Sequence, residues 1–249
     1  MKYFIITGTS RGLGEAIAKQ LHAPDHYLFC LSRERNDALL NGNRKHLAFD
    51  LNDVERIEEL MEEIFNSIDR SNVDGIYLVN NAAVIAPVGF IGSVQVKEIS
   101  MNITVNLLAP IILTSLFIRL TSEMNTDKRI INISSGSAQN LLPGMSVYSA
   151  SKAGLDVFTQ CVGLEQNTNA SPVKIASIWP GMIDTSLQTE ARMQDKVTFP
   201  AAELFEEAKN KGMLTTAEDT ARQVVEYLLN DEFEHGAIAD LYDYSKVQG

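Results

Sequence analysis

The stretch Thr7-Gly8-Thr9-Ser10-Arg11-Gly12-Leu13-Gly14 decides the fold. It follows a short β-type run and precedes a helical pattern that begins at Glu15. Glycines let the backbone turn tightly and approach a ligand closely, and the N-terminus of the next helix presents unpaired N–H groups to a phosphate. The spacing Gly-x3-Gly-x-Gly differs from the usual Gly-x-Gly-x-x-Gly fingerprint. Its place between a first strand and a first helix nevertheless predicts a dinucleotide-binding turn.

Short β-branched or aromatic runs alternate with helical patterns along nearly the whole chain. The candidate strands are Tyr3–Thr7, Tyr27–Ser32, His46–Phe49, Gly75–Val79, Arg129–Ser134, Val173–Trp179 and Ala237–Tyr242. Because parallel strands need crossover connections, the alternation predicts an α/β fold: a three-layer, doubly wound Rossmann-type parallel sheet of about seven strands. We expect a single domain over residues 1–249. The long interval Asp184–Thr216 is expected to be a substrate lid, with an ordinary surface helix as the alternative.

Composition and charge exclude several classes of partner. The 249 residues carry 21 Lys and Arg against 32 Asp and Glu, a net charge of −11, whereas nucleic-acid binding requires a basic face. The most apolar stretch, Leu107–Leu120, falls short of the about 18 residues that span a bilayer, so no membrane partner is expected. The four histidines show no metal-ligand spacing, so no metal is expected. Cys30 and Cys161, in apolar surroundings, predict reduced core residues of a cytoplasmic protein.

The end of the second strand, Cys30-Leu31-Ser32-Arg33, bears on the choice of cofactor. A carboxylate that selects NAD usually stands here and binds the ribose 2′-OH. In this chain Arg33 takes that place, and both Arg33 and Arg11 could pair with a 2′-phosphate through a guanidinium group. A solvated charged turn is the alternative, because Glu34 and Arg35 follow at once. The pattern favours NADPH.

Three side chains form the candidate catalytic group. Tyr148 and Lys152 are four residues apart at the start of a helical pattern and so share one helix face. A cation within about 4–6 Å lowers the pKa of a phenol by about 1–3 units, so we expect Lys152 to lower the pKa of Tyr148. Ser135 follows the fifth strand, where its hydroxyl can bond a substrate oxygen. A Tyr and a Lys at this spacing usually mean a buried phenol and a surface Lys; the glycine turn and Ser135 favour catalysis.

The backbone carbonyl of Asn106 is a candidate acceptor for a bound water. Asn106 lies early in the predicted helix Thr104–Glu123, four residues before Pro110. Proline has no N–H, so the carbonyl of Asn106 loses its helical partner and can accept from a water. Such a water could link Lys152 to solvent and return the proton that Tyr148 gives up. A plain proline kink is the alternative.

Over essentially its whole length the chain resembles the short-chain dehydrogenase/reductase family. The matching motifs, in family order and spacing, are Thr7-Gly8-x3-Gly12-x-Gly14, Asn80-Asn81-Ala82-Ala83, Asn106, Ser135, Tyr148-x3-Lys152 and Pro180-Gly181-x3-Thr185. Ala83 departs from the family, which usually has glycine there. The resemblance implies that Asn106, Ser135, Tyr148 and Lys152 form a catalytic tetrad.

The resemblance also implies which residues contact NADPH or NADP⁺. Asp50 and Leu51 would hold the adenine, and the backbone after Pro180 with Thr185 would hold the carboxamide. The full implied set is Gly8, Ser10, Arg11, Gly12, Leu13, Gly14, Ser32, Arg33, Asp50, Leu51, Asn80, Ala82, Tyr148, Lys152, Pro180, Gly181, Ile183 and Thr185.

Within the family, four stretches resemble the sepiapterin reductase branch and, inside it, the bacterial benzil reductases that form (S)-benzoin. They are Arg11–Ala18, Asn106–Pro110, Asp127–Gly136 and Ala239–Asp243. That branch implies NADPH-dependent reduction of vicinal dicarbonyls. The side chains expected around the pocket are apolar, which suits a hydrophobic or aromatic ketone. They are Leu141, Leu142, Met145, Met182, Leu187, Phe199 and Phe205.

The sequence therefore predicts an NADPH-dependent carbonyl reductase that acts on a hydrophobic ketone or vicinal diketone, of benzil or pterin side-chain type, with Tyr148 as general acid. A 3-oxoacyl carrier-protein reductase or another short-chain alcohol dehydrogenase is the alternative enzyme. A non-catalytic NADP-sensing protein is the alternative from a different class. The expected partner is a small-molecule carbonyl substrate. The resemblance also implies a homodimer or homotetramer, through the apolar faces of the helices Thr104–Glu123 and Ser149–Gln166.

Overall fold

Seven parallel strands form one sheet in the computed structural model, which describes residues 1–39 and 42–241. The strands are β1 (Lys2–Thr7), β2 (His26–Ser32), β3 (Arg44–Ala48), β4 (Gly75–Asn80), β5 (Asp127–Ile133), β6 (Lys174–Trp179) and β7 (Ile238–Asp240). Their order is β3-β2-β1-β4-β5-β6-β7. The doubly wound parallel sheet is confirmed. Of the predicted last strand, Tyr242 lies outside the described residues.

Helices cover both faces of the sheet. In the described part of the chain they are α1 (Gly12–Gln20), α2 (Ile57–Asn66), α3 (Val96–Ile103), α4 (Ala109–Leu120), α5 (Ser146–Gln166), α6 (Ser186–Arg192), α7 (Ala202–Asn210) and α8 (Ala217–Leu229). One core cluster joins α1 and α8 to the sheet through Ile17 and Leu228, and another joins α2, α4 and α5 through Phe117 and Val162. Burial on both faces explains why β1 reads as a continuous apolar run.

The strand order places the site. It reverses between β1 and β4, which are neighbours in the sheet although two strands separate them in sequence. The connections from their carboxyl ends diverge there and leave a crevice, where ligands of such sheets bind. A third, smaller core cluster around Phe199 packs the segment after β6 against Met145 and Tyr148 at this end of the molecule.

The predicted helix Thr104–Glu123 is wrong in its bounds. A π-helical turn over Thr104–Leu108 links α3 to α4, and the N–H of Ala109 donates to the carbonyl of Thr104, five residues back. Pro110 follows at the start of α4 and has no N–H for the ordinary four-residue pattern. The apolar periodicity of the sequence does not reveal such a change in hydrogen-bond spacing.

The resulting helical run, Val96–Leu120, is 25 residues long, and by length and composition alone it could cross a membrane. The helical run is longer than the apolar stretch Leu107–Leu120, whereas the expectation of no membrane partner stays a prediction. In this fold the run packs on the sheet, and Leu113 and Phe117 are fully buried in the core.

The two cysteines differ in environment. Cys30 is buried in β2, whereas Cys161 is exposed on α5, so the prediction of two core cysteines was wrong for Cys161. Val157 and Leu164, one turn before and one turn after Cys161, are exposed too. The apolar surroundings that suggested a core position therefore lie on an outward-facing stripe of α5.

Candidate active site

The glycine turn is held in a conformation that side chains would obstruct. Gly8 and Gly12 have φ of 75° and 61°, values that favour glycine. A Cβ on Gly14 would lie 2.2 Å from the carbonyl oxygen of Gly8, so α1 begins directly against the turn. The N–H of Gly8 donates to the carbonyl of Leu31 in β2 at 2.8 Å. Backbone can thus approach a ligand at the positive end of the α1 dipole.

Asn81 fastens this turn to the end of β4. Its Nδ2 donates to the carbonyl of Thr7 at 2.9 Å, and its N–H donates to the Thr7 hydroxyl at 2.9 Å. The N–H of Ala82 donates to the same hydroxyl at 3.0 Å. The two strand ends at the crevice are therefore tied together by side chains.

Two arginines face the crevice, Arg11 at the N-terminus of α1 and Arg33 at the end of β2. Arg11 and Arg33 are exposed and line the same cavity. Ser32 is buried beneath them: its hydroxyl donates to the carbonyl of Glu34 at 2.8 Å and lies 3.1 Å from Nε2 of His46 in β3. The backbone that carries Arg33 is thus held in place, while its guanidinium faces open space.

One cavity of about 810 Å³ connects the glycine turn to the catalytic group. The predicted site residues that line it are Gly8, Ser10, Arg11, Gly12, Leu13, Ser32, Arg33, Asp50, Leu51, Ala82, Ser135, Tyr148, Lys152, Pro180, Gly181, Ile183 and Thr185. Three predicted residues lie behind this surface. Gly14 and Asn106 are buried, and Asn80 is buried with its Nδ2 donating to Oδ1 of Asn132 at 2.8 Å.

Ser135, Tyr148 and Lys152 meet at the floor of this cavity. The Ser135 hydroxyl oxygen accepts from both the hydroxyl (2.9 Å) and the N–H (3.2 Å) of Ser137, and its side chain bonds that of Tyr148. Nζ of Lys152 lies 5.7 Å from the ring centroid of Tyr148 and donates to the carbonyl of Ile133 at 2.8 Å. Tyr148 is 6% exposed and Lys152 2%. A phenol, a hydroxyl and an ammonium therefore share one desolvated corner.

Burial governs the titration of this group. It raises the pKa of Tyr148 to about 12, and the hydrogen bond with Ser135 opposes the rise. Burial also lowers the pKa of Lys152 to about 8, and the negative charge of Asp156 opposes the fall. We expected Lys152 to lower the pKa of Tyr148; desolvation of the phenol outweighs any such effect here. At neutral pH Tyr148 therefore holds its proton, as a general acid must.

Asn106 reaches the site through the backbone of Val84. Its Oδ1 accepts from the N–H of Val84 at 2.9 Å and its Nδ2 donates to the carbonyl of Val84 at 2.8 Å. Asn102, one turn earlier, accepts from Asn106 Nδ2 at 3.0 Å. Its own Nδ2 donates to the carbonyls of Val84 at 3.1 Å and Ala86 at 2.7 Å. Both amides are fully buried and fix a cavity wall.

The segment after β6 closes the other side. Gly181 has φ of 79°, and Ile183 pairs with Thr215 in an isolated bridge. Asp184 forms ion pairs with Lys209 of α7 and with Arg192 of α6 (4.0 Å). Five of the seven expected apolar pocket residues line the cavity: Leu142, Met145, Met182, Leu187 and Phe205. Leu141 is instead 74% exposed, and Phe199 is fully buried behind Phe205.

The family described as short chain dehydrogenase matches residues 2–196. The chain belongs to the short-chain dehydrogenase family. It is therefore an oxidoreductase, and the family uses NAD(P)(H).

Individual relatives narrow the similarity within the short-chain dehydrogenases. The chain is 40% identical over 244 residues to a benzil reductase ((S)-benzoin forming) of Bacillus cereus, covering 96% of this chain and 98% of that one. It is 26% identical to a sepiapterin reductase of Rattus norvegicus over 96% and 95% of the two chains. The crystal structure of the KRED1-Pglu enzyme superposes with a TM-score of 0.83 at 26% identity, covering 96% of this chain and 100% of that one. The resemblance to benzil reductases, with sepiapterin reductases more distant, is confirmed.

Sequence reasoning missed several residues of this short-chain dehydrogenase site. The motif Asn80-Asn81-Ala82-Ala83 implies a cofactor contact for Asn80 but no role for Asn81, which fastens the glycine turn. Asn102 and Ser137 carried no signal beyond lying four and two residues from Asn106 and Ser135. Among residues 1–39 and 42–241, no group of His, Cys, Asp or Glu has a metal-binding arrangement.

Proposed function

We propose that this protein is an NADPH-dependent reductase of hydrophobic ketones and vicinal diketones. The observation that carries the proposal is the group formed by half-buried Ser135 and the buried side chains of Tyr148 and Lys152, on the floor of a cavity that begins at the glycine turn. The glycine turn fits a dinucleotide, because Gly8 and Gly12 line the cavity at the N-terminus of α1 and leave the backbone there without side chains. The cavity volume of about 810 Å³ is within the range of small-molecule sites, about 300–1,000 Å³.

The roles of the residues follow from their environment. When bound, NADPH supplies the hydride that reduces the carbonyl carbon. Ser135 already accepts two hydrogen bonds from Ser137, which leaves its own proton to donate toward Tyr148 or a substrate oxygen. Tyr148 holds a proton at neutral pH and gives it to the developing alkoxide. The Lys152 ammonium then favours the tyrosinate that remains.

Arg11 and Arg33 support the preference for NADPH. A guanidinium forms bidentate bonds with a phosphate, and the two arginines approach the cavity from separate elements, the N-terminus of α1 and the end of β2. Glu34 and Asp37 lie nearby in sequence, but Asp37 is paired with Arg35 at 3.1 Å. The cationic pair faces the place where a 2′-phosphate would lie.

The apolar walls support a bulky, hydrophobic carbonyl substrate. Met101, Met145, Met182 and Met213 line the cavity, and methionine adapts its shape to different aromatic surfaces. The similarity to a benzil reductase points the same way, to a vicinal dicarbonyl flanked by aromatic groups. In this proposal the segment Asp184–Thr216 is a lid over the substrate, and the ion pairs of Asp184 with Arg192 and Lys209 join its helices α6 and α7 to its first residue.

Two further parts of the proposal concern assembly and location. Val157 and Leu164, with Cys161 between them, form an exposed apolar stripe on α5, which would be buried in a homodimer or homotetramer. Light scattering on the wild type and on Leu164→Lys tests this, and an unchanged mass for the variant would exclude the stripe on α5 as the interface.

Reduced Cys30 and Cys161 are consistent with a cytoplasmic enzyme.

Cofactor consumption tests the main proposal. The purified protein is supplied with NADPH or NADH and with benzil, other vicinal diketones, a pterin side-chain ketone and a 3-oxoacyl thioester. We expect turnover of the diketones with NADPH well above NADH. Faster use of NADH would overturn the cofactor assignment, and preference for the thioester would overturn the substrate class. Binding of NADPH without reduction of any carbonyl would overturn the proposed reaction.

A further inference from the structure

A buried carboxylate lies one helical turn beyond the lysine of the catalytic group. Asp156 is 4% exposed on α5. Its Oδ1 accepts from the hydroxyl of Ser177 at 2.5 Å and its Oδ2 accepts from Nε1 of Trp179 at 2.9 Å. Both donors stand on β6, and Trp179 lines the cavity. Two neutral donors therefore hold the two oxygens of this buried carboxylate.

Tyr148, Lys152 and Asp156 follow one another at four-residue spacing and so form one stripe of α5. The neighbouring strands offer Lys152 few other charges. β5 supplies the Ile133 carbonyl and β6 supplies only the neutral donors to Asp156. The negative charge of Asp156 counteracts the lowering of the Lys152 pKa by burial. Asp240 of β7 lies beside Trp179 in the sheet register and lines the cavity.

We infer that Asp156 is a positioning residue of the proposed reaction: its carboxylate is the counter-charge that keeps the buried Lys152 ammonium protonated. The inference rests on the proposed function, because it acts through Lys152. A buried ammonium without a partner charge loses its proton, since burial disfavours the charged form. With Asp156 in place, Lys152 keeps its charge at neutral pH and can favour the tyrosinate that forms on Tyr148.

The variant Asp156→Asn separates the effect of the negative charge from the effect of the hydrogen bonds. The amide oxygen can accept from Trp179 Nε1, and the amide nitrogen can donate to the Ser177 hydroxyl, so packing is kept and only the charge is lost. Ser177→Ala is the matched control, because it removes one hydrogen bond and leaves the charge. Should Asp156→Asn fail to fold, as circular dichroism would show, Asp156→Ser removes the same charge with a smaller side chain.

The first readout does not depend on turnover. Lysine labelled with ¹³C at Cε reports the titration of Lys152 by NMR, and loss of its signal in Lys152→Met assigns it. We expect the midpoint of Lys152 to fall by about 1 unit or more in Asp156→Asn, in line with the effect of a nearby opposite charge. In Ser177→Ala we expect less than half of that shift. An unchanged midpoint in Asp156→Asn would overturn the inference.

The second readout is the pH profile of benzil reduction with NADPH. In Asp156→Asn the alkaline fall in kcat should move to lower pH by the same amount as the NMR midpoint. A uniform loss of kcat with no movement of this limb would mean a structural role only. If the wild type reduces no ketone, the proposed function fails. The NMR titration still decides whether Asp156 keeps Lys152 protonated.

Discussion

The side chain of Asn106 bonds both backbone groups of Val84, accepting from its N–H at 2.9 Å and donating to its carbonyl at 2.8 Å. Asn102 donates to the same carbonyl at 3.1 Å. The π-helical turn over Thr104–Leu108 lies at this place in the helical run, so the irregularity coincides with the residues that face the active site. Two amides thus hold one wall of the cavity.

We expect Asn106→Ala to lower the free energy of unfolding by about 2 kcal/mol or more, because the N–H of Val84 loses its acceptor and the buried Oδ1 of Asn102 loses a donor, at about 1–3 kcal/mol each. Displacement of the wall should also lower kcat, by about 10- to 100-fold. Asn102→Ala should act on the same wall, so the double variant should lose less than the sum of the single losses. Urea unfolding and diketone reduction measure both effects. Asn66→Ala, exposed on α2, is the control, and strict additivity would contradict the shared role.

How far the sequence predicts this site depends on the range of each interaction. The glycine turn, the strands and the pair Tyr148 and Lys152 are local patterns. The strands are predicted by β-branched and aromatic runs, the turn by its glycines between a strand and a helix, and the pair by its four-residue spacing. The bond from Asn106 to Val84 joins residues 22 positions apart, and that from Asp156 to Ser177 joins residues 21 apart. Such contacts depend on how α5 and the α3–α4 run pack on the sheet. A local sequence pattern does not determine this packing. The direction of the Tyr148 pKa shift was missed for the same reason, since it depends on burial.

Substitution of Gly14 tests the glycine turn. A Cβ at this position would lie 2.2 Å from the Gly8 carbonyl oxygen and 2.4 Å from Nδ2 of Asn81, so Gly14→Ala must displace the turn. We expect NADPH affinity to fall by at least about tenfold, since a shift of the backbone donors misplaces the phosphate bonds. Fluorescence titration with NADPH measures this. Gly92→Ala is the control, because its Cβ would meet nothing within 4 Å. Equal affinity of the two variants would contradict the phosphate-binding role.

The two arginines predict a change in cofactor preference. Arg33→Ser should lower kcat/KM for NADPH by about 10- to 100-fold, the effect of losing a charged hydrogen bond of about 1.5–3 kcal/mol, and change that for NADH little. Arg35→Ser, at the same strand end but paired with Asp37, is the matched control and should leave the ratio unchanged. Arg11→Ser should resemble Arg33→Ser. If Arg35→Ser changes the preference as much as Arg33→Ser, general charge rather than a phosphate contact is responsible.

Tyr148→Phe removes the hydroxyl that we propose as the proton donor and keeps the ring. We expect kcat for carbonyl reduction to fall by at least about 10²–10⁴-fold, the usual contribution of a general acid. Cofactor affinity should stay within about threefold of the wild type, because the glycine turn and the arginines are untouched. Steady-state kinetics with benzil measures kcat, and a fluorescence titration with NADPH measures the cofactor affinity. Wild-type turnover in Tyr148→Phe would remove Tyr148 from the mechanism.

The pKa of Lys152, about 8, predicts how the reaction depends on pH. In the proposed reaction, reduction needs the charged lysine, and this form is present below that pKa and lost as pH rises through it. Carbonyl reduction should therefore be nearly constant from pH 6 to 7 and decline above about pH 8. Oxidation of the alcohol needs the tyrosinate, whose pKa of about 12 makes that rate rise toward high pH. Lys152→Arg keeps its charge throughout because arginine does not lose its proton in this range. The variant should therefore lack the alkaline decline even if its kcat is lower, and a decline that persists in it would assign the limb to another group.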